Sequence, residues 1–170
     1  MAPTTRYIVQ TIPTLRTTAH ISQLTTRSNI SSRLSIRTFF ISPSSLKTVE
    51  PVFSPKAVAP IGPYTQAIKA NGMVFLSGQI PADSQSKLIE GTIAEKTHKM
   101  CQNAKAVLEE AGSSLDKAVK VTVYFNDLDD MQEMNEVYAK YFPHKPARSA
   151  SESPKLPAGA SMEMDIIALQ

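Results

Sequence analysis

Two side chains near the C-terminal end have the chemistry of a small-molecule site. Arg148 opens a strand just after a proline-fixed turn in Lys145-Pro146-Ala147-Arg148-Ser149, a setting that would hold its guanidinium rigidly at a cleft. A guanidinium is a planar donor fork that matches a carboxylate in a bidentate way. Glu163 sits between Met162 and Met164 in the last apolar segment, so on a strand it faces away from both. Held near Arg148, such a carboxyl could position or deprotonate a water molecule. Spacing alone favours a plainer reading, a surface arginine and a glutamate on the wet face of a sheet.

Other constellations are missing. There is no glycine-rich phosphate loop, no paired histidine at metal spacing and no serine in a nucleophile elbow. His20, His98 and His144 are isolated and read as solvated residues. The single cysteine, Cys101, cannot make an internal disulfide or a multi-cysteine metal site. It falls on an apolar helical stripe and reads as a small core residue, since buried cysteines are usually inert. No metal and no cofactor are expected.

The elements that would position these groups follow from periodicity. Residues 50–63 hold Pro51, Pro55, Pro60 and Pro63 and read as an extended lead-in. Residues 64–70 and 73–77 flank Asn71-Gly72, a strong hairpin signal, and Gly78 and Pro81 end the second strand. A helix is predicted from Ile93 to Ala111, with Ala94, Met100, Cys101, Ala104, Val107, Leu108 and Ala111 on its apolar face and Gly112 as its stop. Residues 118–125 read as a strand with Val119, Val121 and Val123 on one face. Met131, Met134, Val137, Tyr138 and Tyr141 mark a second helix, closed by Pro143 and Pro146. Strands near Arg148–Ser151 and at Met162–Leu169 complete the order ββαβαββ. That is an α+β domain, a mixed sheet with both helices on one face. The other face keeps apolar residues with no helix to cover them, and self-association is the simplest cover.

The 170 residues suit one domain plus an extension. No apolar run approaches the roughly 18 residues of a membrane-spanning helix, so no membrane role is expected. Residues 1–49 hold six basic groups, 18 Ser or Thr and no acid. That is the composition of an organelle transit peptide, with cleavage expected between Arg37 and Leu46. Residues 50–170 carry 12 basic against 15 acidic residues, a net charge of −3. A nucleic-acid-binding domain would concentrate Lys and Arg on its folded surface, and no nucleic-acid partner is expected.

Several segments together resemble the RidA (YjgF) family. They are Ile61-Gly62-Pro63-Tyr64-Thr65-Gln66, Leu76-Ser77-Gly78-Gln79-Ile80-Pro81, Asn135-Glu136-Val137-Tyr138, Pro146-Ala147-Arg148-Ser149, and Met162-Glu163-Met164 after Leu156-Pro157. They span residues 54–169 in the family's order, and with the leader the chain is most similar to the family's mitochondrial branch in fungi. The resemblance implies a chorismate-mutase-like fold, a homotrimer whose sheets form an inner barrel, and a site in each intersubunit cleft. It implies hydrolytic deamination of 2-imino and enamine acids, such as 2-iminobutanoate and 2-iminopropanoate, released by pyridoxal-phosphate enzymes such as threonine dehydratase. In the mitochondrial matrix that would protect isoleucine synthesis and mitochondrial maintenance.

Carried over by position, Arg148 would grip the substrate carboxylate and Glu163 would activate water. Tyr64 and Asn135 would line the cleft, with Ser77, Gly78 and the backbone at Ala150 as wall and donors. The sequence departs from the family at three places. Ala150 stands where many relatives have cysteine, which argues against a thiol mechanism. Ser151 replaces an apolar strand residue, and Pro154 should end its strand early or place it at an edge. The rival expectation is a non-catalytic trimer that binds small carboxylates or a partner protein through the same arginine. An RNA-cleaving activity is a weaker rival, because the domain is acidic and lacks a basic, aromatic-lined groove.

Overall fold

The last strand organises the sheet. Met162, Met164, Ile166 and Ala168 are buried and the residues between them point the other way, the period-two pattern of a strand with one covered face. The computed structural model describes residues 49–170, so the transit-peptide reading falls outside the described residues. The elements run β1 (Glu50–Val52), β2 (Ala67–Ala70), β3 (Met73–Gln79), α1 (Ile93–Glu110), β4 (Ala118–Phe125), α2 (Met131–Tyr141), β5 (Ala147–Glu152) and β6 (Met162–Leu169). They build one six-stranded sheet in the order β1-β2-β3-β6-β4-β5. Strands β4 and β5 are parallel and every other pair is antiparallel. The α+β expectation, a mixed sheet carrying two helices, holds.

Local chemistry explains most boundaries. Asn71 and Gly72 both have positive φ, 55° and 71°, as a type I′ hairpin turn demands, and they set the register of β2 on β3. Helix α1 starts on a capping box: Glu95 N–H donates to Thr92 Oγ1 at 3.2 Å and Thr92 N–H donates to Glu95 Oε2 at 2.8 Å. Met100, Cys101, Ala104, Val107 and Leu108 of α1 join Met134 and Tyr138 of α2 in one core over Val74, Leu76, Val121, Val123, Met164 and Ile166. The opposite face carries Ile68, Phe75 and Ile167 in one cross-strand row, and Phe75 is 44% exposed.

Three expectations need correction. The first strand begins at Ala67 rather than residue 64, because Gln66 turns inward and is consumed in holding the preceding segment. Part of the lead-in is itself a strand: Glu50–Val52 pairs with β2 at the sheet edge, where Pro51 is tolerated. Val119 does not share a face with Val121 and Val123. A bulge between Ala118 and Lys120 adds one residue against β6, so Ala118 and Val121 are buried and Val119 is exposed. Strand β5 lies at the other edge and stops at Glu152, two residues before Pro154, as the proline requires.

Candidate active site

Two groups of the expected residues assemble, in two places. Glu163 on β6 stands opposite Tyr124 of β4, on the face without helices. A bulge on β3 between Leu76 and Gln79 brings Ser77 and Gly78 against it. The approach needs glycine: an ideal Cβ at position 78 would collide with Glu163 Oε1 and lie 2.6 Å from its Cδ. Ser77 is fixed by its hydroxyl donating to Thr65 O at 2.6 Å and its N–H donating to Gln66 O at 2.9 Å. Tyr64 is 44% exposed, and its hydroxyl accepts from Ile61 N–H at 3.2 Å. These four residues line a cavity of about 200 Å³, walled on its apolar side by Val58, Ile61, Ile80 and Pro157.

The remaining groups lie elsewhere. Arg148 on β5 is in register with Val121, a core residue of β4, and so leaves the helix side of the sheet. Its Nη1 donates to Asn135 Oδ1 at 2.7 Å, and its guanidinium carbon lies 4.8 Å from the centre of the Tyr138 ring. Asn135 and Tyr138 are one turn apart on α2 and present a common face. Together with Phe142, Lys145 and Pro146 these residues line a second cavity of about 340 Å³. Ala150 follows on the same face, in register with Val123; it is exposed and lines neither cavity. Within one chain Arg148 and Glu163 therefore sit on opposite faces of the sheet.

Electrostatics distinguish the two halves. Burial, and then the negative charge of Asp165, hold the Glu163 carboxyl above the usual carboxylate range. Such a group keeps a proton more readily than an ordinary glutamate, as a residue that both takes and returns one requires. Burial pushes the Tyr138 phenol up to about 12, against the opposing influence of Arg148, so it stays neutral beneath the guanidinium. Burial likewise pushes the Cys101 thiol up to about 12, which agrees with an inert core residue. His98 and His144 are exposed and apart; one contacts Tyr141 Oη at 3.1 Å and the other Ala118 O at 3.1 Å. Among the described residues no three His, Cys, Asp or Glu gather in a way that could hold a metal ion, and no helix is long and apolar enough to cross a membrane.

Sequence reasoning missed the apolar wall and Tyr138. Ile61, Ile80, Pro157 and Tyr138 lay inside quoted motifs, and Tyr138 is three residues after Asn135, so helical spacing carried its signal. Val58 carries no such mark, because only the fold brings it to Glu163.

A mixed sheet, two helices on one face and a carboxyl seated on a β-bulge glycine define a class, and comparison with known proteins agrees. Residues 54–170 match the family described as Endoribonuclease L-PSP. The chain belongs to that family, also called RidA, YjgF or RutC. A RutC family protein of Pyrococcus abyssi is 50% identical over 121 residues, covering 70% of this chain and 95% of its own length. The protein MMF1, mitochondrial, of Saccharomyces cerevisiae is 41% identical over 136 residues, 79% of this chain and 94% of the relative. Among solved structures, E. coli TdcF with bound serine superposes with a TM-score of 0.67 at 33% identity, covering 71% of this chain and 98% of that one.

Proposed function

We propose that this chain hydrolyses reactive 2-imino and enamine acids, 2-iminobutanoate and 2-iminopropanoate among them, to 2-keto acids and ammonia. The observation that carries the reading is the Glu163 carboxyl, half-buried on Gly78 in a small cavity with an apolar wall. That cavity suits a short aliphatic acid, and the raised proton affinity of Glu163 suits both halves of a hydrolysis. The anchor for the substrate carboxylate is Arg148, aimed by Asn135 and the Tyr138 ring. Because the two groups leave opposite faces of one sheet, the complete site takes Arg148 from one copy and Glu163 from another, in a homotrimer.

The reaction is R–C(=NH2+)–COO− + H2O → R–CO–COO− + NH4+. Ionised Glu163 takes a proton from water as its oxygen attacks the iminium carbon, forming a carbinolamine. The same carboxyl then protonates the amino nitrogen. The C–N bond breaks as the carbonyl forms, and the hydroxyl proton leaves through Glu163 to ammonia. The iminium carbon is already electrophilic, so the protein's work is anchoring, placing water and moving protons. Orientation of this kind lowers barriers by up to about 7–11 kcal/mol in the best intramolecular cases.

The leader composition and the similarity to a mitochondrial relative support action in the mitochondrial matrix after removal of a transit peptide within residues 1–49. Coupling the purified protein to threonine dehydratase tests the activity, with semicarbazide as a competing trap. Faster appearance of 2-ketobutyrate, lost in Glu163→Gln, is the expected result. The bound serine in TdcF favours a second reading, a carboxylate-binding module without catalysis. On that reading Glu163→Gln and wild type behave alike in the coupled assay.

A further inference from the structure

The sheet face that carries Glu163 holds a second carboxyl that the reaction scheme leaves unused. Asp165 follows two residues later on β6, so both side chains leave the same face about 7 Å apart. On β4, Tyr124 stands opposite Glu163 and Thr122 opposite Asp165, which puts the phenol on the diagonal to Asp165, within reach of a long side chain. All three residues are partly buried. The charge of Asp165, then burial and the charge of Glu163, hold the Tyr124 phenol above its ordinary value.

The other elements around Glu163 bring no charge. Strand β3 offers Ser77 and Gly78, the segment before β2 offers Tyr64, and Pro157 closes the cavity. Lys120, further along β4, lies opposite Ile167 and donates to Ser149 Oγ at 2.6 Å. Asp165 is thus the charged group of this chain that acts on Glu163.

We propose that Asp165 is a positioning residue for the Glu163 carboxyl: its charge, one same-face position along β6, lets Glu163 keep a taken proton long enough to deliver it to the departing nitrogen. A carboxyl with ordinary acidity is almost wholly ionised near neutral pH and is a poor proton donor there. A like charge on the next same-face position corrects that without touching the substrate. This rests on the hydrolase reading above.

The test is a carbon-13 NMR titration of the side-chain carboxyls in the full chain, alongside the pH dependence of kcat/KM for imine hydrolysis. In wild type, the Glu163 carboxyl is expected to titrate above the ordinary glutamate value of 4.5. Asp165→Asn should lower the Glu163 midpoint by about 0.5–1 pH unit and move the acid limb of kcat/KM by the same amount. Asp165→Glu, which keeps the charge, should restore both. A Glu163 midpoint that stays put in Asp165→Asn of unchanged particle mass overturns the proposal. So does a wild-type Glu163 midpoint at or below the ordinary glutamate value of 4.5, a result that needs no variant to fold. Full imine hydrolysis by Glu163→Gln would instead sink the hydrolase reading, whatever the titration shows.

Discussion

At the scale of single residues, the carboxyl of Glu163 depends on what its neighbours lack. Gly78→Ala places a methyl group where the carboxyl lies, and the smallest accommodation swings Glu163 out of the cavity. The backbone at 78 does not have positive φ, so the fold itself tolerates alanine. The expected outcome is a fall in kcat/KM of about 10–100-fold with little change in melting temperature. Equal activity in both proteins would show that the contact has no bearing on the reaction. Glu163 should also burden stability. Its proton affinity is raised on folding, so the native state binds more protons than the unfolded one above the ordinary glutamate value of 4.5. Stability therefore declines as pH rises through the folded value, and the burden is absent well below 4.5. Glu163→Gln removes the burden: it should melt higher than wild type at pH 7, and the gap should close on acidification. A gap that widens in acid would reverse the assigned sign.

At the scale of elements, the wall of the cavity hangs on a strap. Gln66 is buried just before β2; its Oε1 accepts from Ser54 N–H at 2.5 Å and its Nε2 donates to Ser54 O at 3.1 Å and Val58 O at 2.8 Å. No helix or strand holds residues 54–58, so this one amide does the work of a ladder and sets Val58 against the site. Gln66→Ala strands several buried backbone groups and should cost roughly 2–4 kcal/mol in denaturant unfolding. It should also quicken proteolysis before Ala67 while the sheet stays protected. The sequence reads well wherever burial repeats with a clean period. Strand β6 and both helices were legible for that reason, and the hairpin was legible from the Asn71-Gly72 turn. The bulge at Val119 was not, since one inserted residue changes the backbone without changing composition. The site was half legible: its residues stood out by type and motif, but their faces did not. All six residues of β5 are exposed, so no hydrophobic pattern shows that Arg148 pairs with Val121 and leaves the helix side.

At the scale of the whole molecule, that placement makes a strong demand. The residues proposed to grip and to hydrolyse belong to one chain yet leave opposite faces of its sheet, two strands apart. The face bearing Glu163 also exposes Phe75 and Leu169 beside Ile68 and Ile167, apolar surface that another copy can bury. If each site joins Arg148 of one copy to Glu163 of another, two inactive proteins can repair each other. Arg148→Ala and Glu163→Gln should each lose imine hydrolysis when assembled alone. Unfolded together in equal amounts and refolded, they should form about one intact site in four, because an intact site needs its arginine from one variant and its glutamate from the other. Activity near a quarter of wild type, in particles of unchanged mass by light scattering, is the expected result. A site contained within one chain predicts none at any mixing ratio, because every chain then carries one broken half.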